Sequence, residues 1–233
     1  IHKTSRIVSV TSDNPHHSYT YGDAFQRVRQ LANALEGVGF KQGDRIATLA
    51  WNDYRHFELY YAISCSGQIC HTVNPRLFPD QINFIINHAE DQWVFTDPMF
   101  VPLLESLKDQ LPTVRGYVVL TDEAHMPKTN LANVHCYETF ISDHKDTFEW
   151  PDLNEQTASS MCYTSGTTGN PKGVVYSHRS TVLHSIVGSL PDVMNLSGSD
   201  VIMPIVPMFH VNAWGTAYNG PMSGCTLVFP GPK

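Results

Sequence analysis

The sequence predicts an α/β fold in which mostly parallel sheets are flanked by helices. Three observations carry that reading. Short runs rich in β-branched residues alternate with stretches whose apolar residues return at helical intervals. Glycine, proline and asparagine punctuate the joins. The chain is also apolar enough for a large core: 42% of its 233 residues are hydrophobic and 16% are charged, whereas a disordered chain would be more charged and less apolar.

In chain order, TYGDAFQRVRQLANALEGVGF opens with Thr20 and Asp23 at capping-box spacing. Phe25, Val28, Leu31 and Leu35 follow at helical intervals, and Gly37 and Gly39 supply the stop. RIATLA, Arg45 to Ala50, reads as a strand. DYRHFELYYAISCSG reads as an amphipathic helix ending at Gly67, and ICHTVN, Ile69 to Asn74, as the next strand. PDQINFIINHA starts with Pro79, a favoured first-turn residue, and reads as a helix. WVFT, a helix from Pro98 to the region of Gln110, and YVVLT continue the alternation. Thr121 to Thr157 is polar and reads as surface connection with one short helix near Tyr137 to Ser142. ASSMCYT, Ala158 to Thr164, returns to strand. SHRSTVLHSIVGSL then reads as a helix from near Ser177, DVIMPIVP as a strand, HVNAWGTAYNGPM as a helix and CTLVFP as a last strand. In such sheets, ligand loops sit at the carboxyl ends of strands.

The charge balance, 15 basic against 22 acidic residues, argues against nucleic acid or an anionic membrane as the main partner. The spacing of Cys65, Cys70, Cys136, Cys162 and Cys225 matches neither paired zinc knuckles nor a redox pair. The expectation is reduced structural thiols in a cytoplasmic protein. No apolar run approaches the roughly 18 residues of a membrane helix. The ends, IHKTSRIVSV without Met and LVFPGPK, suggest a piece of a longer protein.

One stretch concentrates unusual chemistry: YTSGTTGNPKG, Tyr163 to Gly173, between an expected strand and an expected helix. Backbone N–H groups turned inward bind phosphate, and glycines such as Gly166, Gly169 and Gly173 allow that by tolerating positive φ. Thr164, Ser165, Thr167 and Thr168 add hydroxyls, Lys172 adds a point charge, and Pro171 stiffens the approach to it. The P-loop pattern fails, because Pro171 precedes the lysine and Gly173 follows it. The dinucleotide fingerprint is present only as G-x-x-G, Gly166 to Gly169. From composition and position alone, a polar loop without ligand stays open beside a phosphate cradle.

YTSGTTGNPKGVVYSHR closely resembles the signature loop of the adenylate-forming superfamily, which contains acyl-CoA synthetases, luciferases and peptide-synthetase adenylation domains. The likeness continues into Val174, Ser177 and His178. PMFHVNAWG, Pro207 to Gly215, resembles the family's aromatic-histidine block beside the carboxylate and acyl site. LAWNDYRHFELYYAISCSGQICHTVNPRLFPDQINFIINHAED resembles the medium- and long-chain fatty acyl-CoA synthetase branch, so the resemblance covers nearly the whole chain.

The resemblance implies ATP-dependent activation of a fatty acid to acyl-adenylate and then acyl-CoA, with Mg²⁺ and coenzyme A. Such chemistry needs alignment and charge stabilisation more than a strong base. By resemblance, Thr164 contacts Mg²⁺ and phosphate; Ser165, Gly166, Thr167, Thr168 and Gly169 form the pyrophosphate cradle; Lys172 is its cationic end. His210 resembles the histidine near the α-phosphate and the substrate carboxylate, so His210 and Lys172 are the candidate catalytic residues. Val211 and Trp214 resemble positions at the acyl entrance. By residue type alone, Lys172 also reads as a solvated lysine, His210 as a core histidine and Trp214 as a packed aromatic.

The implied fold is part of an acyl-CoA synthetase/luciferase-like large N-terminal domain. Residues 40–190 form a first sheet-and-helix subdomain, 1–39 and 200–233 parts of a second, incomplete one, and the C-terminal domain is absent. Groups that hold adenine and ribose are expected outside the chain, so the chain alone is expected to be inactive. Branch members are often homodimers, which carries that expectation here. The alternatives are adenylation of an aryl, short-chain or amino acid, and a non-catalytic binding or oligomerisation module.

Overall fold

The computed structural model describes residues 1–164 and 170–232. Its first elements are strands β1 (Arg6–Ser9) and β2 (His17–Thr20), followed by helix α1 (Tyr21–Gly37). Thr20 accepts from the Asp23 N–H at 3.2 Å, and the Asp23 carboxylate accepts back from the Thr20 N–H at 2.9 Å. That reciprocal pair satisfies two otherwise orphaned donors, which is why the helix starts here. Its inward stripe is Ala24, Val28, Leu31 and Leu35, all buried. Leu31 and Leu35 each contribute roughly 1.5–3 kcal/mol by leaving water. Phe25 departs from the expectation: one position off that stripe, it is 46% exposed and stacks on Trp150.

Next come β3 (Arg45–Leu49), α2 (Tyr54–Cys65), β4 (Ile69–Thr72), α3 (Pro79–Ala89), β5 (Trp93–Thr96) and α4 (Val101–Leu107). They are followed by β6 (Gly116–Val119), β7 (Val134–Cys136), α5 (Tyr137–Ser142), β8 (Ala158–Tyr163), β9 (Gly173–Ser177) and α6 (His178–Ser189). The series closes with β10 (Val201–Ile202), α7 (Thr216–Ser223) and β11 (Thr226–Phe229). Among the described residues, seven strands form one sheet in the order β7-β6-β5-β3-β4-β8-β9, parallel except for the antiparallel β8–β9 pair. A second sheet has the order β10-β11-β1-β2 and is parallel except for β1–β2. The fold is therefore mixed α/β, with mostly parallel sheets flanked by helices.

Four local expectations change. Helix α2 is not amphipathic: Tyr54 through Tyr60 are all buried, because α2 packs against α1, β1, β3, β4 and β8. Its polar groups are satisfied inward, with Glu58 accepting from Arg27, Tyr19 and Tyr137. The polar Thr121–Thr157 stretch hides β7, an edge strand too short to show a period. The run 173–177 is a strand, so the glycine-rich loop joins two antiparallel strands rather than a strand and a helix. Finally, HVNAW is not a right-handed helix: Val211, Asn212, Ala213 and Trp214 all have positive φ, between 48° and 56°.

Candidate active site

Parallel strands deliver their carboxyl ends to one edge of the seven-stranded sheet, and described residues of both motif blocks meet strands β4 and β8 there. Strand β8 pairs with β4 through Cys70–Ser160, His71–Met161 and Thr72–Cys162. It then runs through Tyr163 into Thr164, whose N–H donates to the Lys172 carbonyl at 3.0 Å. This bond closes the neck of the loop. Ser165, Gly166, Thr167, Thr168 and Gly169 lie outside the described residues. Lys172 is exposed, and among the described residues it makes no ion pair. Gly173 faces the Tyr163 ring so closely that a Cβ would sit 3.2 Å from Cζ. The Tyr163 hydroxyl pairs with His88 Nδ1 at 2.7 Å, which fixes the ring, and burial pushes its acidity down.

The block containing His210 lies across the same edge. Thr72 Oγ1 is 3.4 Å from the Phe209 carbonyl and 3.5 Å from that of Met161, both long bonds. Asn212, buried, donates to Ser160 Oγ at 3.1 Å, tying the block to β8 two turns of the pleat before the loop. Its left-handed turn is costly, at roughly 1–2 kcal/mol per non-glycine residue. Val211 is the worst case, since a β-branched residue resists positive φ. His210 is exposed and extended, with φ −113°, and among the described residues its ring has no hydrogen-bond partner. Val211 and Trp214 are 40% and 57% exposed. A cavity of about 50 Å³ lies beside them, with Val211, Asn212 and Gly215 on one wall and Tyr176, Thr181 and His184 on the other. A far larger cavity, about 630 Å³, opens elsewhere, between Tyr21, Phe25, Phe57, Tyr61 and Trp150. His178, at the end of the glycine-rich motif, lines it, but Thr164, Lys172, His210, Val211 and Trp214 do not.

Beneath this edge sits a buried polar layer that sequence reasoning missed. Asn52 donates to the Pro204 and Val206 carbonyls, each at 3.0 Å, and accepts from the Met208 N–H at 2.6 Å. Tyr60, fully buried, donates to the Met208 carbonyl. Asp53 caps α2 by accepting from the His56 N–H, and Asp97 accepts from the Trp51 N–H. Burial pushes the Asp53 carboxyl up to about 6. Burial and then the neighbouring Asp53 charge raise Asp97 well above the usual carboxylate range. Burial lowers His56 to about 4, so it is neutral. Its Nδ1 faces the Trp51 carbonyl, which can only accept, so Nδ1 carries the proton and Nε2 accepts from Thr48. No local signal marks Asn52, because its partners lie more than 150 residues away in sequence.

Residues 2–233 match the family described as AMP-binding enzyme. The chain belongs to that family. It is 48% identical over 99% of its length to a medium-chain-fatty-acid–CoA ligase of Ectopseudomonas oleovorans, covering 42% of that protein. It is equally 48% identical to a 3-methylmercaptopropionyl-CoA ligase of Ruegeria lacuscaerulensis, over 99% of this chain and 43% of that one. A long-chain-fatty-acid–CoA ligase of Thermus thermophilus is 44% identical over 97% of this chain and 40% of its own. The chain thus spans well under half the length of these relatives. Among solved structures, a Mycobacterium tuberculosis fatty acyl CoA synthetase superposes with a TM-score of 0.79 at 23% identity, over 97% of this chain and 41% of that one. An anthranilate CoA ligase with anthranoyl-AMP superposes at 0.80 with 22% identity, over 95% and 41%. These two likenesses concern the fold.

Proposed function

We propose that the protein containing this chain activates a medium- or long-chain fatty acid, first as acyl-adenylate and then as acyl-CoA, using ATP and coenzyme A. One observation carries the reading. The turn that bears His210 is tied by Asn212 to Ser160, on the strand that runs into the Thr164–Lys172 loop. Phosphate-binding and carboxylate-binding groups would then share one rigid strand, as in-line attack of a carboxylate on an α-phosphate requires.

In this reading Lys172 offers its ammonium to the β- and γ-phosphates, with Ser165 to Gly169 as the cradle. His210 donates to oxygen at the α-phosphate or the substrate carboxylate, where charge develops. Val211 and Trp214 flank the acyl entrance. Thr164 supplies one neutral oxygen, weakly engaged at 3.4 Å by the Lys172 carbonyl, and that suits a magnesium ion held mainly by phosphates and water. Bound there, the ion would share the negative charge of the phosphates. Residues 40–190 would be one subdomain, and 1–39 with 200–233 parts of a second. The four-stranded sheet supports that division, since among the described residues its strands come only from Arg6–Thr20 and Val201–Phe229. The five unpaired cysteines suit a reducing, cytoplasmic setting, and a homodimer belongs to the reading through the resemblance alone.

A second reading has its own support: the equal identity to a 3-methylmercaptopropionyl-CoA ligase favours a short thioether acid. ATP–pyrophosphate exchange by the complete gene product decides between them, with straight-chain acids from acetate to stearate and 3-methylmercaptopropionate as substrates. The first reading expects exchange that peaks at medium or long chains and falls by at least tenfold in His210→Ala and in Lys172→Ala. A peak on the thioether acid replaces it with the second, and no acid-dependent exchange removes both.

A further inference from the structure

Resting on the adenylation reading of His210, we propose that Asn52 and Tyr60 are positioning residues that hold the Pro204–Trp214 segment, and with it His210, over the carboxyl end of β8.

The segment cannot hold itself. Between the end of β10 at Ile202 and the start of α7 at Thr216 it has no regular strand or right-handed helix. Met203 and Ile205 are 52% and 70% exposed. Four successive residues, Val211 to Trp214, have positive φ, a conformation that valine, alanine and tryptophan do not favour. Such backbone persists only where surrounding groups over-determine it.

Asn52 and Tyr60 are those groups. Asn52 is 4% exposed, and its acceptor and both amide donors are spent on this one segment: Met208 N–H, Pro204 carbonyl and Val206 carbonyl. Only a carboxamide carries that donor and acceptor set on a short stem. Asn52 is itself fixed. Its own carbonyl accepts from the Gly231 N–H at 3.0 Å, the Trp51 N–H is held by Asp97, and Asp53 caps α2. Tyr60 reaches the segment from the middle of α2, donating its hydroxyl to the Met208 carbonyl, with Asn212 Oδ1 3.3 Å away. Met208 is therefore held at its N–H by Asn52 and at its carbonyl by Tyr60. Asn212 is held by Ser160. His210 lies midway between these two pinned residues, and its own ring has no described partner. Its direction comes from the backbone on either side.

The test uses the complete gene product with Asn52→Ala, Tyr60→Phe and His210→Ala. Tyr60→Phe keeps the ring and its packing, so it stands even if Asn52→Ala fails to fold. We expect Tyr60→Phe to lower kcat of acid-dependent pyrophosphate exchange about tenfold, with KM for ATP within about twofold of wild type. In the His210→Ala background the same change should cost less than about twofold, because both act through one group. Unchanged kcat in Tyr60→Phe, or full additivity with His210→Ala, overturns the positioning role. Amide hydrogen exchange over Val206 to Ala213 supplies an arm independent of activity. Faster exchange there in Tyr60→Phe, with the central sheet still protected, supports the clamp; unchanged exchange overturns it. If wild type itself performs no adenylation, the reading of His210 falls, while the exchange arm still judges the clamp.

Discussion

His56 illustrates how a single residue ties the site's foundation to pH. It is fully buried and neutral, held between Thr48 and the Trp51 carbonyl, with its pKa lowered from 6.5 to about 4. Above pH 6.5 the imidazole is neutral folded or unfolded and costs nothing. As pH falls below 6.5, the unfolded chain takes up the proton first, so the folded state loses stability. The loss saturates near pH 4 at about 3 kcal/mol. Asp53, raised from 3.8 to about 6, works the other way: its contribution is present below 3.8 and lost as pH rises through 6. A difference measurement isolates the histidine. Urea denaturation of His56→Gln and wild type is expected to give a stability gap that narrows in favour of the variant as pH drops from 6.5 to 4. A gap that stays constant over that window would exclude a buried neutral His56.

At the scale of elements, α2 joins both sheets and carries charge into the core. Glu58, fully buried, accepts from Arg27 Nε at 2.7 Å, from Tyr19 at 2.9 Å and from Tyr137 at 2.6 Å. These bonds link α2 to α1, β2 and α5. Arg27 also meets Glu138, which Arg55 shares, and Arg55 grips Asp13 in turn. Removing one partner strands the others without water. Glu58→Ala should therefore cost about 3–5 kcal/mol by urea denaturation, far beyond its lost packing. A cost under about 1 kcal/mol would mean water replaces the carboxylate there. This helix also marks where sequence reading falls short. YRHFELYY has a helical period, but period says where residues point, not how many faces are covered. The hairpin return at 173–177 escaped for a related reason: a five-residue strand that begins with glycine and ends on the serine capping α6 carries little periodic signal.

At the scale of the whole molecule, α6 leaves Val182, Leu183, Ile186 and Val187 each 46–55% exposed, and beyond that helix Val193, Val201 of β10 and Ile205 are each 60–70% exposed. Exposed apolar side chains, four of them on one helix, favour association. Among the described residues no helix is long and apolar enough to cross a membrane. This chain alone is expected to self-associate as its concentration rises, seen by sedimentation velocity, and to give no acid-dependent pyrophosphate exchange. A monomer at every concentration, or turnover by the chain alone, would contradict these expectations. The complete gene product should cover the face and remain monodisperse.

What the sequence determined by itself is the set of local, short-range features. The Thr20–Asp23 capping box, the α3 bounds from Pro79 to Ala89, the α5 bounds from Tyr137 to Ser142 and the identity of the YTSGTTGNPKG and PMFHVNAWG blocks all depend on neighbours a few residues apart. Tertiary structure alone decided that the glycine-rich loop caps a hairpin, that Phe25 faces outward, that HVNAW turns left-handed and that Asn52 reaches Met208. Each of these depends on a partner distant in sequence or on which face becomes covered. A strained turn is stable only through contacts that the turn's own residues do not encode.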